Sequence, residues 1–260
     1  MRDNRRLLAA AGFSFLMAVP AAAAPCTSIA AVPFTITSAG SYCLASSMTT
    51  NITTGAAIEV AADDVTLDLG GFTLEGTGGG RSLANGIHSM NRRAIVVRNG
   101  TVKGFLIGIL IDADSVVASR DHIVEKVTVR DCYYEGIQME GSAMILRDSV
   151  VKDIGGPTGH HPNGVEVCAN GMFGSIEAYN NVIDNVFGTS DEQSPDGMML
   201  ECVNSIAIGN RISRVDDQIL SVRSGVCRDN VLQMVAQRPF EAIKGAPGCT
   251  LLGKSNFVFP

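Results

Sequence analysis

Tryptophan is absent from the 260 residues, and aromatic side chains of all kinds make up only 5 % of the chain. Long amphipathic helical periodicity is hard to find after the first two dozen residues, which disfavours a helical fold. The chain has no Cys-x-x-Cys pair and no His/Cys spacing of the kind that binds zinc. The formal net charge is −6, so nucleic acid and anionic membranes are not expected as partners.

The N-terminus has the pattern of a secretory signal peptide. Three arginines within residues 1–6 precede an apolar stretch, Leu7 to Val19, that is too short to span a bilayer comfortably. Small residues follow at 21–23, which predicts cleavage after Ala23 and hence a signal peptide over 1–23. Since no later segment is apolar enough to span, we expect an exported chain, secreted or periplasmic.

Apolar segments recur along the chain about every 26 residues. They read VTLDLGGFTL, IVVRNGTV, VEKVTV, LRDSVV, IEAYNNVI, IAIGNRI, VCRDNVL and LLGKSNFV. Short strands that repeat in this way predict an all-β solenoid, in which equivalent residues become vertical neighbours. The predicted neighbours are the segment ends Leu74, Val102, Val129, Val151, Ile183, Ile212, Leu232 and Val258.

A second short segment follows most of these, often opened by glycine: NGIHS, IGILI, EGIQM, NGVEV, DGMML, DQILS and FEAIK. Alternation along a strand sends Ile87 and Ser89 inward, with Ile109, Ile137, Val165 and Met198 at the equivalent inward position. The outward position is predicted to carry His88, Leu110, Gln138, Glu166, Met199 and Leu220. The start of the strand is predicted to carry Asn85, Ile107, Glu135, Asn163, Asp196 and Asp217.

These repeats resemble those of the right-handed parallel β-helix proteins of the pectate lyase and polygalacturonase superfamily. The stretch PFTITSAGSYCLASSMTTNITTGAAIEVAADDVTLDLGGFTLEG is similar to the region where many exported β-helix proteins begin. The resemblance implies a single-stranded right-handed parallel β-helix of about eight coils. An N-terminal cap and first strands would occupy 24–62 and the β-helix 63–260.

Seven cysteines follow the predicted signal peptide, and in an exported protein some should pair. Their odd number leaves at least one free or intermolecular. Within the implied fold, Cys26 and Cys43 would clasp the cap, whereas Cys168 and Cys202 would join neighbouring coils. Other pairings remain open for the five cysteines outside the cap.

The two longest repeats contain the insertions GGPTGHHP (155–162) and FGTSDEQSP (187–195). They should stand side by side at one edge of a sheet and form a wall beside it, which is a common setting for function. Acids gather nearby, and Glu166 is the most suggestive candidate catalytic acid because it is predicted to face outward beneath the loops. Substrate contacts are expected from Glu135, His160, His161, Asn163 and Arg223.

The stretch DGMMLECVNSIAIGNRISRVDDQILSV resembles the polygalacturonase pattern of Asp-Gly followed one coil later by Asp-Asp. The resemblance implies catalytic roles for Asp196, Asp216 and Asp217, with one acid protonating the glycosidic oxygen and others activating water. The family's downstream histidine and Arg-Ile-Lys segments are replaced here by RPFEAIKG. The same acids have a simpler interpretation as turn residues, since aspartate favours corners.

Two enzymatic reactions fit these residues, hydrolysis and β-elimination of a uronic-acid polysaccharide. Elimination would need a base and a cation, and Glu166, Asp196 and Asp217 are candidate ligands for Ca²⁺. No other cofactor is expected. The alternatives to an enzyme are a β-helix that binds glycans without catalysis and a purely structural spacer. The sequence indicates neither the polysaccharide nor the oligomeric state.

Overall fold

The protein is an all-β chain whose strands run parallel. The computed structural model describes residues 25–79, 82–115, 117–156, 161–168, 174–190, 193–217, 219–233, 243–245, 249–251 and 257–259. No helix occurs among these residues. Accordingly, none of the described segments is a helix long and apolar enough to cross a membrane. The predicted signal peptide lies outside them.

Twenty-six short strands follow one another in the described residues. In chain order they are β1 (Thr27–Ile29), β2 (Phe34–Ile36), β3 (Gly40–Leu44), β4 (Met48–Thr50), β5 (Ala56–Val60), β6 (Val65–Asp68), β7 (Thr73–Gly76), β8 (Asn85–Met90), β9 (Ile95–Lys103), β10 (Ile107–Asp112), β11 (Ile123–Arg130), β12 (Glu135–Met139), β13 (Met144–Arg147), β14 (Val150–Ile154), β15 (Asn163–Val167), β16 (Ser175–Tyr179), β17 (Val182–Val186), β18 (Asp196–Leu200), β19 (Asn204–Ile208), β20 (Arg211–Val215), β21 (Leu220–Val222), β22 (Gly225–Arg228), β23 (Val231–Gln233), β24 (Ile243–Gly245), β25 (Cys249–Leu251) and β26 (Phe257–Phe259).

The strands form a 17-stranded sheet and a nine-stranded sheet. The nine-stranded sheet consists of β2, β5, β8, β10, β12, β15, β18, β21 and β24. We call one passage of the chain through both sheets a rung; β16, β17 and β18 make one rung, and β19, β20 and β21 the next. Each strand pairs in parallel with its equivalent one rung away, for example β15 with β18. This architecture is compatible with a β-solenoid.

The register confirms the ladder expected from the repeats. Leu74 lies beside Val102, Val102 beside Val129, and Val129 beside Val151. The same row continues down the chain through Ile183, Ile212, Leu232 and Val258. The second ladder is also as predicted from Ile87 to Met198.

Stacked Ile, Val and Leu side chains make one continuous core. Ile109, Ile137 and Val165 are fully buried at one ladder position, and Val129 and Val151 at another. Burying each such side chain contributes roughly 1.5–3 kcal/mol to folding. In a vertical ladder each residue packs against the equivalent residue of the rung above and of the rung below. This packing fixes the register of the strands.

Polar ladders hold the corners between strands of the 17-stranded sheet. Asn181, Asn210 and Asn230 are stacked and buried, at 1 %, 0 % and 0 % exposure. The Asn210 side chain donates to the Ala178 carbonyl at 3.0 Å and to Asn230 Oδ1 at 3.1 Å. Asn181 repeats the pattern one rung earlier, donating to Asn210 Oδ1 at 3.0 Å. Each side-chain amide therefore supplies hydrogen bonds to backbone groups that are buried from water at the corner.

Two disulfides join the cysteine pairs that were expected, Cys26–Cys43 and Cys168–Cys202. Cys227 is also disulfide-bonded. Cys132 is a free cysteine, fully buried in the core. Burial raises the pKa of its thiol to about 12, so the thiol stays protonated and unreactive. The disulfides are consistent with an oxidising, extracellular environment.

Candidate functional site

The site begins where three neighbouring strands of the nine-stranded sheet start. Glu135, Asn163 and Asp196 are the first residues of β12, β15 and β18 and lie side by side in register. All three are almost buried, with 1 %, 5 % and 7 % exposure. The structure therefore brings together three of the predicted site residues at one ladder position.

The glycine that follows each of these residues packs tightly against the core. A Cβ on Gly136 would lie 2.3 Å from a methyl of Val151, and one on Gly164 would lie 2.7 Å from a methyl of Ile183. These glycines pack against core side chains although Ile137 and Val165, the next residues, are also buried, so the regular alternation does not hold at the strand start. The recurring acid-Gly or Asn-Gly pairs of the sequence thus have a packing reason.

Glu166 lies three residues after Asn163 on the same strand, β15. The Asn163 side-chain amide donates to Glu166 Oε2 at 2.5 Å. Glu166 also shares a hydrogen bond with the Glu135 carboxyl, and the hydroxyl of Tyr134 bonds to Glu135. We call Glu135 and Glu166 the carboxyl pair.

The proton of the carboxyl pair resides on Glu135. Burial raises the pKa of Glu135 well above its usual value, and the negative charge of Glu166 and their hydrogen bond raise it further. The hydrogen bond from Tyr134 opposes this only in part. Burial next to Glu135 and Glu166 also raises the pKa of Tyr134. The pair holds an acid and its potential base in direct contact, which is an arrangement suited to proton transfer.

Two buried oxygens of the site have no hydrogen-bond partner among the described residues. They are Oε2 of Glu135 and Oδ1 of Asn163. A buried polar atom left unpaired costs about 1–3 kcal/mol, so such atoms are rare where they serve only packing. These two oxygens therefore need an explanation beyond packing.

The two inserted loops contact each other beside the strand starts, as expected. The amide of Ser194 donates to His161 Nδ1 at 2.8 Å, and Thr189 Oγ1 donates to the Gly156 carbonyl at 3.3 Å. Gln193 accepts from the Thr189 amide and is itself only 3 % exposed. His161 therefore joins the loops. His160 lies outside the described residues.

Asp216 is not next to the carboxyl pair. It is exposed, and its carboxylate accepts a hydrogen bond from the Gly188 amide at 3.1 Å. Its backbone amide bonds to Val186, which places it before the turn into the nine-stranded sheet. Asp216 thus anchors the base of the second loop.

Asp217 is half-buried, and its amide donates to the carbonyl of Pro195, immediately before Asp196. It therefore lies beside Asp196, but it precedes strand β21. Leu220 pairs with Met198, whereas one residue lies between Asp196 and Met198 and two lie between Asp217 and Leu220. This extra residue shifts the later register.

The expected outward position of Leu220 is wrong for that reason. Leu220 is fully buried, and Ser221 lies beside Met199 in the outward row. Arg223 is exposed and follows the end of β21, whereas Asp217 precedes that strand. Arg223 therefore lies at the opposite end of the strand from the row that contains Glu135.

Corner geometry does not explain the acids of the site. The left-handed backbone at the turns is taken by other residues, such as Asp131, Asp153 and Asn185, with φ between 55° and 60°. Neither Glu135 nor Asp196 has a positive φ. A left-handed backbone therefore does not dictate their residue types.

The hypothesis of calcium binding receives no support from the described residues. Among them no group of three or more His, Cys, Asp or Glu side chains is placed to hold a metal ion. Asn163 separates Glu135 from Asp196 in the row, which leaves these carboxylates on alternate strands.

Sequence reasoning missed Tyr134 and assigned Glu135 only to substrate contact. A signal was present, because two of the four tyrosines of the chain form a doublet directly before Glu135. The contact between Glu135 and Glu166 was harder to foresee, since it joins the first residue of one strand to the fourth residue of the next.

Comparisons with known proteins leave the site to be interpreted from its geometry. No family model matches the chain, and neither a curated protein nor a solved structure is found to be similar to it.

Proposed function

We propose that this protein is an exported right-handed parallel β-helix of about eight coils that acts on a polysaccharide at the carboxyl pair. In this proposal residues 1–23 direct export, and the mature chain is secreted or periplasmic. The resemblance to pectate lyases and polygalacturonases supports the solenoid's handedness and the substrate class. The single observation that carries the activity is the contact between Glu135, whose pKa burial raises well above its usual value, and the carboxyl of Glu166.

Glycosidic hydrolysis needs one carboxylic acid and one carboxylate. Glu135 would give its proton to the glycosidic oxygen as the bond from that oxygen to the anomeric carbon breaks. Glu166 would take a proton from the attacking water, whose oxygen bonds to the anomeric carbon. Inverting glycosidases hold the two carboxyls about 6.5–9.5 Å apart to admit the water, so the hydrogen bond between Glu135 and Glu166 would open when substrate binds. Its re-formation after product release would return the proton from Glu166 to Glu135.

The neighbours of the pair would orient it. Asn163 fixes Glu166 through the 2.5 Å hydrogen bond, and Tyr134 fixes Glu135. Asp196, next to Asn163 in the row, and Asp217, beside it in the next rung, would contact substrate hydroxyls. His161 would help to hold the loop wall.

A uronic-acid glycan remains the proposed substrate class. The pair carries one negative charge instead of two, because Glu135 keeps its proton, so it repels a sugar carboxylate less than two ionised acids would. Strands β12, β15 and β18 contain no lysine or arginine. Neutral glycans therefore belong in the same substrate panel.

One observation favours the second candidate, a glycan-binding protein without catalysis. Glu135 is only 1 % exposed, so its carboxyl reaches a glycosidic oxygen only if the surrounding side chains move. In that case the pair would define the shape and polarity of a binding face and transfer no proton.

The test is a panel of polygalacturonate, pectin, alginate and neutral glucans incubated with the wild type, Glu135→Gln and Glu166→Gln. We expect new reducing ends from at least one polymer and a loss of roughly 10²-fold or more in either variant. Glu177→Gln is the matched control, because Glu177 is a glutamate of the other sheet that bonds to Tyr179.

Three results decide between the candidates. Unsaturated, ultraviolet-absorbing products would indicate elimination in place of hydrolysis. Retention of a glycan without any product would support binding alone. Full activity in both variants would show that the carboxyl pair takes no part in the reaction.

A further inference from the structure

A second groove lies along the ends of strands β7, β9, β11, β14 and β17. It encloses about 510 Å³ and crosses five neighbouring strands, which gives it a length of roughly 19 Å. Its wall carries Tyr133 and Phe187, and its polar groups include Asp131 and Asp153. None of these four residues belongs to the carboxyl pair or its hydrogen-bond partners.

Glycine creates the floor of the groove. Gly76 and Gly104 face each other so closely that a Cβ on Gly104 would lie 2.3 Å from the Gly76 carbonyl oxygen. Gly155 separates the two aromatic residues, and its Cβ would lie 2.1 Å from the Phe187 carbonyl oxygen. No side chain can fill these positions, so the backbone stays accessible between the walls.

The two rings are spaced along the solenoid. The amides of Tyr133, Gly155 and Phe187 bond to equivalent positions, one rung before each. Tyr133 and Phe187 therefore lie two rungs apart, or roughly 9.6 Å, with a glycine between them. Both are half-exposed. This leaves ring surface available for a flat, partly apolar ligand.

The polar groups of the groove are arranged for hydroxyl groups. The Asn185 side-chain amide donates to Asp153 Oδ1 at 2.8 Å, and Lys152 Nζ lies 3.9 Å from Asp153 Oδ2. Arg130 donates to Asp131 Oδ2. The one lysine of the groove wall, Lys103, is paired with Glu75 at 2.7 Å. The carboxylates of Asp131 and Asp153 are 47 % and 36 % exposed. An acidic lining with its lysine already paired disfavours an anionic ligand.

We propose that this groove binds successive neutral pyranose units of a polysaccharide, as a second glycan site beside the base of the two loops. The apolar C–H faces of two sugars would stack one on Tyr133 and the other on Phe187, and their hydroxyls would donate to Asp131 and Asp153. The ligand class rests on the proposed polysaccharide function, whereas the location rests on the groove. Aromatic walls with a few convergent polar groups are the usual composition of such a site.

The test is affinity electrophoresis of the full chain in gels that contain hydroxyethylcellulose, galactomannan or polygalacturonate. Phe187→Ala should weaken retardation by a neutral polysaccharide roughly tenfold. The double variant Asp131→Asn, Asp153→Asn should weaken it severalfold, because an amide oxygen is a weaker acceptor than a carboxylate. Asparagine tolerates the left-handed backbone at both positions, so this variant keeps the fold.

Asp148→Asn is the matched control, an exposed aspartate with the same left-handed backbone (φ 52°) outside the groove. If the wild type is retarded and the groove variants are retarded equally, the groove proposal is overturned and the proposed polysaccharide function stands. If only polygalacturonate retards the protein, the neutral-sugar assignment is wrong. If no polymer retards the wild type, the groove proposal fails, while the release of reducing ends decides the proposed function separately.

Discussion

Glu135 and Glu166, on adjacent strands, share a hydrogen bond between their carboxyl groups, and the proton of that bond belongs to the buried partner. Asn163 sits beside Glu135 in the row and donates to Glu166, so the geometry of the pair is fixed from two sides. Burial and the neighbouring charge of Glu166 raise the pKa of Glu135 well above its usual value, which favours the protonated form of Glu135 in this contact.

The first prediction concerns the pH dependence of stability at Glu135. Its folded pKa is raised, so the stability of the wild type is fully present below the unfolded value and is lost as the pH rises toward the folded pKa. Glu135→Gln mimics the protonated acid and removes this loss. We expect the variant to gain in unfolding free energy relative to the wild type as the pH rises above about 4.5, measured by urea denaturation.

Glu135→Ala is the companion variant, since it removes the hydrogen bond as well as the charge. It should be less stable than Glu135→Gln at every pH. A Gln variant that weakens progressively with rising pH would mean that the ionised form of Glu135 is the stable one.

The second prediction concerns His122, which is fully buried and bonded to Ser119 Oγ at 2.8 Å. The Ile95 amide donates to its Nδ1, so Nε2 carries the proton and the ring is neutral. Burial, opposed in part by the charges of Asp121 and Asp63, lowers the pKa of His122 to about 4.

Since the unfolded chain protonates this histidine near pH 6.5, stability falls as the pH drops from about 6.5 to about 4. The difference in unfolding free energy between the wild type and His122→Gln should shrink over this range by roughly 3 kcal/mol. His161→Gln, a change at an exposed loop residue, is the control. A difference that stays constant from pH 7 to pH 4 would contradict a neutral, buried His122.

The third prediction concerns the disulfide between Cys168 and Cys202, which closes a separation of 34 residues. Replacing both cysteines by serine should reduce the unfolding free energy by about 3–4 kcal/mol, because the unfolded chain regains the entropy of the loop. Thermal or urea unfolding measures the change. Cys132→Val is the comparison, since it leaves both described disulfides intact and keeps an apolar side chain of similar size in the core. Equal stability of the double serine variant and the wild type would show that the bridge adds nothing.

The fourth prediction concerns the asparagine ladder. Asn210→Ala leaves the Asn181 amide and the Ala178 carbonyl without their partners in a buried corner. Each lost partner costs about 1–3 kcal/mol, so we expect a reduction of several kcal/mol in unfolding free energy. Asn204→Ala removes an exposed asparagine in the neighbouring strand and should change stability by about 0.5 kcal/mol or less. Similar effects of the two substitutions would argue against a structural role for the ladder.

Much of the fold could be predicted from the repeats, because in a solenoid residues one repeat apart in sequence contact each other on neighbouring rungs. Leu74, Val102 and Val129 were expected to stack, and they pair in register. The expectation went wrong at Leu220, where the chain gains one residue after Asp217. A single inserted residue moves every later side chain to the opposite face, and composition gives no sign of it.

The sequence by itself determined that the chain is all-β, where its rungs repeat and which residues start the strands, since these follow from local periodicity and from glycines that only a packed core requires. The tertiary structure decided which of the acids work together. Glu135 and Glu166 meet because stacking brings adjacent strands within roughly 4.8 Å, whereas Asp216 bonds to a loop amide on another face. Burial, which assigns the proton to Glu135, is a property of the assembled stack and of no single segment.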